Sequence, residues 1–75
     1  MSFKDYVAKR RATDTPAGDF VSDARGDPGL HDVRTWADLE AHLRTRRACD
    51  EAIKASRSVW RGYCAAQRRA ERADA

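Results

Sequence analysis

The chain has little of what most readily assigns a small protein to a class. No run approaches the ~20 consecutive apolar residues of a membrane span, and the amino terminus carries no apolar segment of signal-peptide type. A protein soluble in the cytoplasm, with no membrane partner, is therefore expected. Cysteine is scarce: Cys49 and Cys64 are the only two. On a single helix they would stand about 22 Å apart at 1.5 Å per residue, beyond disulfide reach. Two reduced thiols are expected, which suits the cytoplasm. No alternating apolar run of strand length occurs and no segment repeats, so the pattern gives no basis for a sheet.

Large apolar side chains are also few for a 75-residue chain. The candidates for the core of one domain are Phe3, Tyr6, Val7, Phe20, Val21, Leu30, Val33, Trp36, Leu39, Leu43, Ile53, Val59, Trp60 and Tyr63. With so small a set, the aromatics must be shared between neighbouring elements, and losing Trp36 or Trp60 to Ala is expected to cost about 3–5 kcal/mol.

What is abundant is charge. Residues 1–11 sum to +3, residues 12–40 to −5 and residues 41–75 to +5, giving the net +3. Such segregation steers a partner of opposite sign or draws the two halves of the fold together. The cations are twelve Arg against three Lys, and Ala occurs fourteen times. Because GC-rich coding alone produces that bias, arginine abundance by itself does not point to nucleic acid.

The spacing predicts an all-α protein. Ser2 and Asp5 form a capping box for a short first helix over Ser2 to Arg11, with Phe3, Tyr6 and Val7 on one face. Pro16 suits the first turn of a second helix, which buries Phe20, Val21 and Ala24 and ends at Gly26, Asp27, Pro28 and Gly29. Leu30 to Arg34 allows a single turn. Thr35 and Asp38 form a second capping box for a helix through about Arg44, with Trp36, Leu39 and Leu43 at spacings of three and four. A long last helix is expected from Ala48 to Arg69, leaving Ala70 to Ala75 as a frayed charged tail outside a domain of residues 1–69. On that helix Cys49, Ile53, Ser56, Trp60, Tyr63 and Cys64 make an apolar stripe, and Arg47, Lys54, Arg61 and Arg68 recur every seven residues about 100° round from it.

The order of these residues resembles a known family. Ser2, Phe3 and Tyr6, then Asp14, Pro16, Gly18, Asp19 and Phe20, then Asp27 and Pro28, then Leu39 and Leu43, and finally Ala48, Cys49, Asp50, Ala52, Ile53, Trp60 and Tyr63 make the chain similar to the YozE-like family of small bacterial proteins, whose fold is similar to sterile-alpha-motif domains. The resemblance implies a compact bundle of four to five short helices, with the long last helix laying its aromatic face across the others. It implies no reaction, and sterile-alpha-motif-like folds host both protein-binding and nucleic-acid-binding members. The chain departs from the family at Leu30 and His31, where an aromatic followed by proline is usual, and at Ser56, where the last helix usually carries an aromatic.

Chemistry-bearing residues do not form a reactive pattern. His31, His42, Cys49 and Cys64 lack the close ligand pairs of structural zinc, and Cys49 or Cys64 with His42 and Asp38 is a catalytic set only on paper. No enzyme activity, cofactor, metal or small-molecule substrate is expected. Asp14, Asp19, Asp23 and Asp27 lack the spacing of a calcium loop and read as caps and an acidic surface. The sharper expectation is an interaction module. In the first form, an Asp-rich surface meets an Arg-rich helix of a protein partner or of another copy, with Val59 or Leu30 supplying an apolar centre if exposed. In the alternative, Arg47, Lys54, Arg57, Arg61 and Arg68, broadened by Arg72, contact nucleic-acid phosphates. Asp50 interrupts the row, and Asp50 and Glu51 are placed to pair with Lys54 and Arg57 at i, i+3 or i, i+4.

Overall fold

The computed structural model describes residues 2–10 and 15–74. Helices α1 (Phe3–Lys9), α2 (Pro16–Arg25), α3 (Trp36–Thr45) and α4 (Asp50–Asp74) are joined by short connections, one holding a 3-10 turn over Pro28–Asp32. The protein is all-α, a helical bundle with a long carboxy-terminal helix. Among the described residues no helix is long and apolar enough to cross a membrane.

Local chemistry sets most boundaries. The Ser2 hydroxyl accepts from the Asp5 amide at 3.1 Å, and the Asp5 carboxylate accepts back from the Ser2 amide. Thr35 and Asp38 repeat the arrangement at the start of α3. Both boxes satisfy amides that the first turn leaves unpaired. Thr15 caps α2 ahead of Pro16 by accepting from Gly18, and Asp27 caps the 3-10 turn ahead of Pro28 by accepting from Gly29 at 2.9 Å.

The core gathers Phe3 and Val7 of α1, Phe20, Val21 and Ala24 of α2, Leu30 and Val33, Leu39 of α3, and Ile53, Ala55 and Val59 of α4. Phe3 lies at its centre, with ring centroids 4.9 Å from Trp60, 5.4 Å from Tyr63 and 6.3 Å from Phe20. Trp36 and Trp60 are only partly buried and pack at the margin. The largest cost of truncation therefore moves from the two tryptophans to Phe3 and Leu39.

Four further expectations are corrected. Helix α4 starts at Asp50, so Ala48 and Cys49 precede it; the Cys49 carbonyl accepts the first helical bond, from Ile53, while its side chain is exposed. The helix continues to Asp74, past the expected end near Arg69. Val59 is fully buried and Leu30 nearly so, which removes both as an exposed apolar centre for binding. With Ala55 and Val59 taken together with Ile53, Ser56, Trp60 and Tyr63, the inward face of α4 turns by roughly 40° at 100° per residue. Lys54, Arg61 and Arg68 consequently stand opposite the core instead of flanking it.

Candidate functional site

Arg47 leaves the basic row before α4 begins. It follows the α3 cap at Arg46 with φ 58°, its amide donating to the Arg44 carbonyl while the Ala48 amide donates to Leu43. This is the Schellman closure of a helix, with arginine at the position glycine usually holds. The remaining row is Lys54, Arg57, Arg61 and Arg68, all exposed. Among the described residues the ion pairs are His42–Asp27, Arg46–Asp27 and Arg44–Glu40, so none involves α4. The expected pairing of Asp50 and Glu51 with Lys54 and Arg57 does not form. Arg57 instead stacks over the Trp36 ring, 5.1 Å from its centroid.

The acidic set is divided. Asp14 lies outside the described residues. Asp19 and Asp23 are exposed along α2. Asp27 belongs to the interior network instead, which corrects its place on an acidic docking surface. Its side chain is only 12% exposed; one carboxylate oxygen accepts from the Gly29 amide, and the other lies 2.6 Å from His42 Nε2 and 3.1 Å from Arg46 Nη1. Burial pushes the Asp27 carboxyl up. The hydrogen bonds from His42 and Gly29 and the charges of His42 and Arg46 outweigh burial and hold it below its ordinary value. Sequence reasoning missed this network because Asp27 and His42 lie fifteen residues apart on different elements.

Asp19 and Asp23 overlook a cleft of about 540 Å³ where α2, the end of α3 and the start of α4 converge. Its floor is apolar, from Phe20, Ala24, Leu30, Leu43 and Ala52, and its rim carries Asp19, Asp23 and Glu51, with Arg46 and Cys49 alongside. Those three rim carboxylates make no ion pair with any described residue. The sequence places Glu51 as a pairing partner of Lys54 and Arg57, and nothing in helical periodicity shows that it lines this cleft.

No family model, curated protein or solved structure matches the chain.

The thiols and imidazoles stay apart in chemical terms. His42 Nε2 is held by Asp27, and His31 Nε2 accepts from the Lys4 ammonium at 2.7 Å. Among the described residues no group of three or more His, Cys, Asp or Glu side chains could hold a metal ion. What the arrangement offers is two surfaces: an acidic-rimmed apolar cleft and a row of unpaired cations.

Proposed function

We propose that this chain is a non-catalytic, cytoplasmic protein-interaction module of YozE-like type, and that the cleft between α2 and α4 is its binding site. One observation carries the reading: Asp19, Asp23 and Glu51 stand without ion-pair partners above an apolar floor. A desolvated apolar centre within a charged rim is the usual anatomy of a protein-binding patch. Its chemistry suits a helical segment with small apolar side chains on one face and cations at the edge.

The chain carries such a segment. Beyond Gln67, α4 presents Arg68, Arg69 and Arg72, and at 100° per residue Ala66, Ala70 and Ala73 fall together beside Arg69. This end cannot reach the cleft of its own molecule, because Ala52 and Arg72 are separated by about 30 Å of one straight helix. A union of the two is therefore intermolecular, either reciprocal in a two-fold dimer or head to tail in an open chain. The buried area is small, so the association is weak and salt-sensitive.

Light scattering across a wide concentration range at low salt should show a mean mass that climbs above that of the monomer. Asp19→Arg with Asp23→Arg, and separately Arg69→Glu with Arg72→Glu, should each stay monomeric. Mixing the two variants should restore association, since each then offers the other a complementary surface. A mass that stays monomeric for the unaltered protein throughout overturns self-association, and association indifferent to both variants removes the cleft from it.

A further inference from the structure

The outer face of α4 has a different chemistry from the cleft. Between Glu51 and Glu71 the helix contains no acidic residue, while Lys54, Arg57, Arg61 and Arg68 lie within roughly 60° of one another and are all exposed. Lys54 to Arg68 spans about 21 Å of straight helix. Lys54, Arg57 and Arg61 are neighbours at i+3 and i+4, where like charges disfavour the helix, and no ion pair within the described fold offsets the repulsion.

We infer that this face is a binding surface for the phosphate backbone of duplex nucleic acid, contacted without reading base sequence. Three observations select that occupant. The face has no large apolar side chain at its centre: Ser58 and Ala65 flank the cations on one side and Cys64 on the other, and Val59 and Leu30 are buried. A protein partner would need such a centre, whereas a polyanion does not. No aromatic platform is offered to single-stranded bases either. Phe3, Tyr6, Trp60 and Tyr63 stack on one another across the molecule, and the nearby Trp36 ring is covered by Arg57. Third, the row lies along one continuous helix, and a duplex presents one charge per ~1.7 Å of its axis, enough for each cation to find a phosphate.

The test is binding of the full chain to random-sequence duplex DNA as a function of salt. Four contacts give a log–log slope of roughly −3 to −4, so affinity should fall roughly 100-fold between 50 and 200 mM salt. Lys54→Gln with Arg57→Gln and Arg61→Gln, all exposed, should reduce the slope to about −1 and the loss to roughly threefold. Arg57→Lys with Arg61→Lys should keep the original slope, and far-ultraviolet circular dichroism confirms that each variant folds. The inference fails if no duplex binding is detected at 50 mM salt, if the glutamine variant keeps the slope, or if polyglutamate of equal charge binds as tightly as DNA. Asp19→Asn with Asp23→Asn alters the cleft and leaves the slope in place, so failure here leaves the cleft reading standing.

Discussion

Arg47 sits in the left-handed region at φ 58°, a conformation that costs a residue with a Cβ roughly 1–2 kcal/mol. Its backbone closes α3, its exposed side chain makes no ion pair, and neither role needs arginine. Arg47→Gly should therefore raise stability by about 1 kcal/mol and lift the thermal midpoint by roughly 4–8 °C; an unchanged or lower midpoint rejects the account. This turn was hard to see in the sequence because the glycine that marks a helix end is missing, so Arg47 reads as the first member of a heptad. Ser56 is explained by packing. It is fully buried, with its hydroxyl donating to the Ile53 carbonyl at 2.6 Å. Ser56→Phe should destabilise the fold by about 1–3 kcal/mol through overpacking, measurable as a lower denaturant midpoint.

The join between the 3-10 turn and α3 rests on Asp27, which caps one element and binds two side chains of the other. Capping chemistry is legible at two other starts, Thr35 with Asp38 and Ser2 with Asp5, whereas Gly26 to Gly29 reads as the end of α2 and the turn capped by Asp27 begins at Pro28, ahead of the expected Leu30. The bond from His42 to Asp27 is not legible, since it depends on how α3 folds back. Gly29 permits it, because a Cβ there would collide with the His42 ring. Because the folded Asp27 carboxyl is held below its ordinary value of 3.8, the folded state binds fewer protons than the unfolded one. Its stabilisation is present in full above that value and is lost as pH falls through the folded value. Asp5, lowered by its hydrogen bonds to Ser2, shifts in the same direction, so the difference from a variant is the clean measure. Asp27→Asn should be less stable than the unaltered protein at neutral pH, with the gap closing below pH 3.8. A gap that stays constant with pH would show that the carboxylate charge contributes nothing. Gly29→Ala should reproduce the same narrowing by displacing His42.

At the scale of the whole molecule, α4 serves the fold with one half and projects with the other. Its buried residues, Ile53, Ala55, Ser56 and Val59, and its packed aromatics, Trp60 and Tyr63, all precede Cys64, while residues 68–73 are exposed. The helical class and most of the core were readable from periodicity, because Phe3, Val7, Phe20, Val21 and Leu39 recur at helical spacing on short amphipathic segments. The phase of α4 was misread because Ala55 is small and Val59 was weighed singly, and two such residues decide which side faces inward. Removal of residues 68–75 isolates the consequence. No side chain in the core cluster is lost, so the thermal midpoint should move by no more than the few degrees that correspond to about 0.5 kcal/mol. Self-association should disappear, since Arg68, Arg69 and Arg72 are gone. Duplex binding should persist through Lys54, Arg57 and Arg61, its salt slope reduced by about 0.9 for the one lost contact. A truncated protein that still assembles would place the self-contact on another face, and one that unfolds would show that the projecting turns hold the bundle together.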